Sequence, residues 1–229
     1  MIINGLQKLT LLDYPGHTAC TIFTAGCNFR CPFCHNAGLV TKIDNSDTIP
    51  TAEVLSFLRK RTGLLDGVCV TGGEPLLQPD IAEFLAEIKA MGYKVKLDTN
   101  GSNPQKLRSL LEQGIVDYVA MDIKNSKARY GETAGVQIEL ADIEESINII
   151  KQTAPDYEFR TTIVNGLHTT QEIVALAEWI SPAKKYFLQN FVDSGNIIGC
   201  GLTAHSLETL GEMKNKASQF VPNAQIRGI

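Results

Sequence analysis

Cys27, Cys31 and Cys34 place three thiols in a C-x3-C-x2-C spacing, followed at once by His35. The stretch Cys27-Asn-Phe-Arg-Cys31-Pro-Phe-Cys34-His35 comes directly after an apolar run, Thr18–Thr24, with Gly26 at its entrance. A loop this short can turn its three sulfurs toward one centre. Converging thiolates suit the soft iron sites of an iron–sulfur cluster. A cubane 4Fe–4S cluster normally takes four cysteines, so three leave one iron open, and an open metal position is where substrate chemistry occurs. The spacing thus reads as catalytic more than as simple electron storage.

Four other readings stand beside it. Cys31-Pro-Phe-Cys34-His35 also fits the C-x-x-C-H pattern of covalent haem attachment. That attachment needs export, and Met1–Lys8 lacks a basic region followed by a long apolar core. Cys31 and Cys34 could form a thioredoxin-like redox pair, with Cys27 surplus. Cys27, Cys31, Cys34 and His35 could hold a structural zinc, although zinc knuckles usually come as two separated pairs. The three could also be buried structural thiols.

The chain around them has 229 residues, 44% of them hydrophobic, enough for one sizeable core. A net charge of −4 does not favour a nucleic-acid or anionic-membrane partner. Six cysteines with no signal-like leader point to a reducing compartment and to reactive or metal-bound thiols, hence to the cytoplasm. No apolar run approaches the ~20 residues of a membrane span.

The elements that must position the cysteines alternate. Thr18–Thr24, Gly67–Thr71, Lys94–Asp98, Val116–Ile123, residues 157–164 and residues 185–191 read as strands. Between them lie helical patterns. After a polar loop, Thr51 caps Val54, Leu55 and Leu58, and Gly63 ends that helix. Pro79 opens Ile81, Phe84, Leu85 and Ile88 before Gly92, and Pro104 opens Leu107, Leu110 and Leu111 before Gly114. An irregular piece, 125–137, precedes a helix with Ile143, Ile147 and Ile150. Ile173, Val174, Ala177 and Ile180 share a face over 170–180, and Leu207, Leu210 and Met213 point inward over 203–219. Strands spaced by roughly 25–40 residues are βα units, so the sheet is expected to be parallel. Six units are too few for a complete eightfold barrel. An open, curved partial (β/α)6 barrel and a doubly wound sheet both remain. Residues 1–229 read as one domain, with 1–17 an N-terminal extension and 18–229 the βα core.

Ligands bind at the carboxyl ends of strands in either architecture. Those ends carry the three cysteines, Thr71-Gly-Gly-Glu-Pro75, Asp98-Thr-Asn-Gly101, Asp122-Ile-Lys124, Arg160 and Gln189-Asn190. Each has a plainer explanation. Gly72-Gly73 could be only a turn, Asn100-Gly101 is a frequent turn dipeptide, Asp122 and Lys124 could be a solvated pair, and Arg160 could pair structurally with any nearby carboxylate. Polar residues recurring at one rim across separate βα units make the stronger case together.

The cysteine motif with an aromatic, Phe33, before its third cysteine, and the Gly-Gly-Glu strand end, resemble the radical S-adenosylmethionine (SAM) superfamily. Asp13-Tyr-Pro-Gly16, Cys27–Asn36, Leu97-Asp-Thr-Asn-Gly101 and Asp117–Lys124 resemble, more narrowly, the activating proteins of anaerobic ribonucleoside-triphosphate reductase, cousins of the pyruvate formate-lyase activating enzymes. The resemblance implies a 4Fe–4S cluster on Cys27, Cys31 and Cys34 whose fourth iron is chelated by SAM. It further implies reductive SAM cleavage and hydrogen abstraction from a glycine of a partner glycyl radical enzyme, fed by a flavodoxin- or ferredoxin-type donor.

The same resemblance assigns roles. Gly72, Gly73 and Glu74 would meet the methionyl amino group. Asp98, Thr99 and Asp122 match positions that hold a monovalent cation beside the SAM carboxylate in the formate-lyase relatives. Lys124 and Arg160 would lie near SAM or the glycine loop. Gln189 or Asn190 would stand where those relatives place a ribose-contacting histidine. Asp13–His17 is expected at the cluster end of the barrel, against the partner's loop. Cys20, Cys69 and Cys200 fall outside any cluster spacing and read as buried thiols, Cys200 the most exposed. Two further classes stay open: a small-molecule enzyme resembling the 7-carboxy-7-deazaguanine synthases, and a non-catalytic iron–sulfur or zinc module.

Overall fold

The structure, a computed structural model, describes residues 1–41 and 48–229; residues 42–47, part of the polar loop expected before Thr51, lie outside the described residues. Among the described residues one sheet of eight strands organises the chain, and its spatial order follows the sequence order without a reversal. The strands are β1 (Ile3–Thr10), β2 (Ala19–Thr24), β3 (Gly67–Gly72), β4 (Lys94–Thr99), β5 (Tyr118–Asp122), β6 (Asp156–Ile163), β7 (Tyr186–Asn190) and β8 (Ala224–Arg227). β1 runs antiparallel to β2, and every later neighbour pair is parallel. Sequential order leaves no switch point, so the doubly wound alternative fails. The sheet is instead a curved partial barrel whose edges, β1 and β8, do not meet.

The parallel strands are near-continuous apolar runs because both of their faces are covered. Val68, Cys69 and Val70 of β3, Val95 and Leu97 of β4, and Val119, Ala120 and Met121 of β5 are all without exposed surface. Helices α1 (Ala37–Thr41), α2 (Thr51–Arg59), α3 (Ile81–Ala90), α4 (Pro104–Glu112), α5 (Tyr130–Ala134), α6 (Leu140–Thr153), α7 (Thr170–Ile180) and α8 (Leu207–Ala217) connect them. Their apolar faces are those the spacing predicts: Val54, Leu55 and Leu58 in α2, Phe84, Leu85 and Ile88 in α3, Ile143, Ile147 and Ile150 in α6 are buried. The Asn103 carboxamide caps α4 by accepting from Lys106 N, and Thr169 with Glu172 forms a capping box on α7. None of the described helices is long and apolar enough to cross a membrane.

Four sequence expectations need correction. The six predicted strands are β2–β7, and the sheet gains β1 and β8 at its edges. β1 exposes Gln7, Lys8 and Leu9, and β8 is only four residues long, so neither shows the alternation of a half-buried strand. Residues 3–10 are thus part of the sheet and not an extension beside it. The irregular piece 125–137 holds a short 3-10 turn, Lys127–Arg129, and helix α5. Leu207 is exposed at the first turn of α8, where Ser206 caps the helix; Leu210 and Met213, with Ala217, face inward.

The fourth correction concerns Asp13–His17. Because β1 enters antiparallel, the connection to β2 lies at the amino ends of the strands, opposite the cysteines. Tyr14 inserts there, 3% exposed, and forms a small apolar cluster with Ala19, Tyr118 and Ala120. Its ring occupies the space beside Gly67, where a Cβ would lie 2.9 Å from the ring carbons. Tyr14, Pro15 and His17 border a recess with Lys94, Asp117, Asp156 and Lys185, which stand at the amino-terminal ends of strands or just before them. The segment plugs the closed end of the barrel and does not face a partner at the open one.

Candidate active site

After β2 the chain turns through Gly26 (φ +90°) into the cysteine loop. Gly26 N–H donates to Leu39 O at 2.8 Å, Cys34 N–H to Cys31 O at 3.1 Å, and the Arg30 guanidinium to the carbonyls of Cys27 (2.6 Å) and Phe29 (2.7 Å). Both flanks are tied down: Arg30 N–H donates to Ala134 O of α5 at 2.8 Å, and Gly199 N–H to Pro32 O at 2.7 Å. Asn36 Nδ2 reaches Gly72 O at 2.9 Å and fixes the loop to the end of β3. So constrained, Cys27, Cys31 and Cys34 share one cavity of about 240 Å³ with Phe33, Gly72 and Gly73. Burial raises all three thiols above their ordinary range, Cys31 to about 11, while the nearby Lys124 ammonium acts on each in the opposite direction.

Below the thiols the cavity floor is built of charge. Strand alternation sends Lys96 and Asp98 of β4, Asp122 of β5 and Arg160 of β6 to the same interior face, with Lys124 two residues past Asp122. They form one ladder. Lys96 Nζ pairs with Asp98 Oδ1. Arg160 Nη1 lies 3.1 Å from Asp98 Oδ2 and its Nε 2.9 Å from Asp122 Oδ1. Lys124 Nζ is 3.3 Å from Asp122 Oδ2. Burial alone would raise the Asp122 carboxyl, but Arg160 and Lys124 bring it down to about 2. The Asp98 carboxyl is likewise held low by Arg160 and Lys96 against its burial. Asp122 in turn keeps Lys124 protonated despite burial.

The Gly-Gly-Glu turn differs from its expected use. Gly72 and Gly73 do line the cavity. Their missing side chains, however, make room for the neighbouring backbone. A Cβ on Gly72 (φ +115°) would sit 2.4 Å from Thr24 O, and one on Gly73 2.0 Å from Gly26 O. Gly73→Ala should therefore push β3 off the entrance of the cysteine loop and cost roughly 1–3 kcal/mol in urea denaturation, the range of overpacked cores. A variant as stable as the parent would contradict that close approach.

Glu74 is 1% exposed and is not among the residues lining the cavity. Its Oε1 accepts from Leu76 N (3.1 Å) and Thr99 Oγ1 (2.8 Å), and its Oε2 from Asn100 N (2.6 Å). The carboxylate expected to meet an amino group is thus engaged inside the fold, bracing the loop after β4. Burial outweighs these three donors and lifts its carboxyl to about 7.

The last predicted pair separates by alternation. Gln189 lines the cavity, whereas Asn190, the next residue of β7, turns its amide toward Gly228 O at 3.4 Å. Asp98, Thr99, Asp122, Lys124 and Arg160 are all brought to the cavity. Of the other cysteines, Cys20 and Cys69 are buried in strands and Cys200 is exposed.

Three contributors are given no role by the sequence: Asn100, which lies within the Asp98–Gly101 strand end but reads there as a turn, His168 and Lys96. Asn100 Nδ2 donates to Asn28 Oδ1 at 2.9 Å and lies 3.8 Å from Cys27 Sγ. Its dipeptide with Gly101 reads as a turn, which it also is. His168, fully buried, receives Val164 N–H on Nδ1 at 3.1 Å and donates from Nε2 to Lys124 O at 2.8 Å, with its ring edge toward Phe33. Lys96 is 1% exposed within an apolar strand.

The donor set fits one implied group and not another. Three thiols on one cavity suit an iron–sulfur cluster. A monovalent cation at Asp98, Thr99 and Asp122 would have to share oxygens that already face protein groups. All four carboxylate oxygens face Lys96, Arg160 or Lys124. The Thr99 hydroxyl donates to Glu74 and accepts from Gly101 N at 3.1 Å.

Comparison with known proteins accords with this geometry. A sequence profile for the Radical SAM superfamily matches residues 21–180. A Methanocaldococcus jannaschii protein named for glycyl-radical enzyme activation is 28% identical over 236 aligned residues, covering 100% of this chain and 96% of its own. The pyruvate formate-lyase-activating enzyme of Listeria monocytogenes is 33% identical over 134 residues, 53% of this chain and 52% of its own. The GTP 3′,8-cyclase of Helicobacter pylori is 31% identical over 68% of this chain, which spans only 49% of that enzyme. Among solved structures, Streptococcus suis SuiB bound to S-adenosylmethionine superimposes with a TM-score of 0.69 at 15% identity, over 90% of this chain and 49% of that one.

Proposed function

The chain belongs to the radical S-adenosylmethionine superfamily, and on that premise we propose that it activates a glycyl radical enzyme, with anaerobic ribonucleoside-triphosphate reductase the partner favoured by its sequence resemblance. The observation that carries the reading is the convergence of three thiols, with no fourth cysteine among the described lining residues, above a cationic cavity floor. The near-complete mutual coverage with the M. jannaschii relative supports an activase over the cyclases, which this chain matches over half their length.

Cys27, Cys31 and Cys34 would hold a 4Fe–4S cluster. When bound, cluster and SAM together supply one-electron chemistry ending in hydrogen-atom abstraction. The chain's own groups do the rest. Lys124, whose charge bears on all three thiols, favours their thiolate forms. Arg160 and Lys124, held by Asp98 and Asp122, present fixed positive charge to the ligand's carboxylate. Phe29, Phe33 and Val40 give the cavity apolar walls that exclude water from a reactive intermediate. Glu74, through Thr99 and Asn100, keeps the floor loop in place. Gln189 offers an amide where the ligand's ribose would lie. Reducing equivalents would come from a flavodoxin- or ferredoxin-type donor.

The test is anaerobic electron paramagnetic resonance on the reconstituted, reduced protein with SAM and candidate glycyl radical enzymes. A glycyl doublet with the reductase, absent for Cys34→Ala, is the expected result. 5′-Deoxyadenosine without a doublet from any such partner would move the reading to a small-molecule substrate.

A further inference from the structure

We infer that Lys96, which stands behind Asp98 and does not itself line the cavity, is a built-in counter-cation for that carboxylate, so that this chain binds the carboxylate of SAM without a monovalent metal ion. The inference rests on the SAM reading above and adds a positioning residue to it.

Lys96 is the feature of the site that the fold alone leaves unexplained. It lies in β4 between Val95 and Leu97, both without exposed surface, and its own side chain is 2% exposed. An apolar residue there would complete the strand. Taking an ammonium out of water costs several kcal/mol unless a charge partner and hydrogen bonds offset it. The groups facing its Nζ are the Asp98 carboxylate, the Cys69 thiol at 3.7 Å and the Tyr118 ring at 5.9 Å. Of these only Asp98 carries an opposing charge, and Asp98 is already paired with Arg160 at 3.1 Å. Lys96 is therefore a third cation in a ladder with two carboxylates.

The count decides what the floor can accept. Lys96, Arg160 and Lys124 against Asp98 and Asp122 leave one positive charge. One ligand carboxylate brings the ladder to neutrality. Adding a metal ion as well would restore the ladder's excess positive charge in a partly buried site, and would have to share an oxygen that already faces a protein cation. Removing Lys96 reverses both conditions. It leaves Asp98 Oδ1 with only the weak Cys69 thiol donor at 3.8 Å and lowers the ladder's charge by one, which recreates a place for a small cation.

The test measures SAM affinity of the cluster-loaded protein by anaerobic isothermal titration calorimetry. Potassium chloride is compared with tetramethylammonium chloride, whose cation is too large for the site, at equal ionic strength. The parent protein should bind equally in both. Lys96→Met should lose roughly tenfold or more in tetramethylammonium and recover affinity in potassium. Potassium-dependent binding by the parent would overturn the inference, and that arm decides even if the variant fails to fold. Lys96→Met that binds like the parent in both salts would overturn it too. A cluster-loaded parent that binds no SAM in either salt would remove the functional reading, and this inference with it.

Discussion

Cys31→Ala is expected to strip the protein of its cluster and reduce SAM cleavage to background. The cavity offers three thiols, and loss of one leaves two, too few to retain the cluster through purification. The effect belongs to the site more than to the fold. Cys31 is buried, yet removing one small side chain from the core costs only about 1 kcal/mol, so a thermal melt of the apo variant should stay near the parent's. Iron and sulfide content per chain, with 5′-deoxyadenosine yield, are the readouts. Cys20→Ala is the matched control. That thiol is also buried, is raised by burial to about 12, and lies in β2 before the cysteine loop. Its variant should keep full iron content. A Cys31→Ala protein that holds a complete cluster would contradict the ligand set.

Arg160→Met should be the most destabilising change in the cavity floor, and its effect should depend on pH. Arg160 bridges Asp98 and Asp122, whose side chains are 13% and 33% exposed, so its removal leaves two partly buried carboxylates short of a partner, a loss below the roughly 3–5 kcal/mol of a fully buried pair. The sign with pH follows from the Asp122 carboxyl, held at about 2 against an ordinary 3.8. A lowered carboxyl contributes stability that is present above 3.8 and is lost as pH falls through about 2. Without Arg160 both carboxyls titrate higher. The variant should be weaker than the parent at neutral pH in urea, and the difference should shrink as the pH is lowered through the carboxylate range. An equal deficit at every pH would mean that Arg160 acts by packing alone.

How much of this was legible depends on which physical rule governed each residue. Alternating βα units force every strand's carboxyl end to one rim, so the cysteine loop, Gly72-Gly73, Asp98, Asp122 and Lys124 could be grouped without coordinates. The plug at Tyr14 could not be placed, because its position depends on β1 running antiparallel, and an exposed edge strand such as Gln7-Lys8-Leu9 shows no apolar alternation. The resemblance points Glu74 at a ligand, because a Gly-Gly-Glu strand end gives no hint that Thr99 and Asn100 donate to the carboxylate. Gln189 and Asn190 differ by one residue, and only the register of β7 decides which side chain faces inward. Lys96 carried no signal at all. A lysine in a strand ordinarily points to solvent, and its burial is visible only once Asp98 and Arg160 are seen beside it.

The measurement that tests the central claim most directly is 5′-deoxyadenosine formation. The anaerobically reconstituted protein would be reduced with dithionite in the presence of SAM, and the product quantified by mass spectrometry. The expected result is cleavage that requires reductant and disappears in each of Cys27→Ala, Cys31→Ala and Cys34→Ala. A protein with its full cluster that binds SAM and releases no 5′-deoxyadenosine when reduced would contradict the assignment of radical chemistry to this cavity.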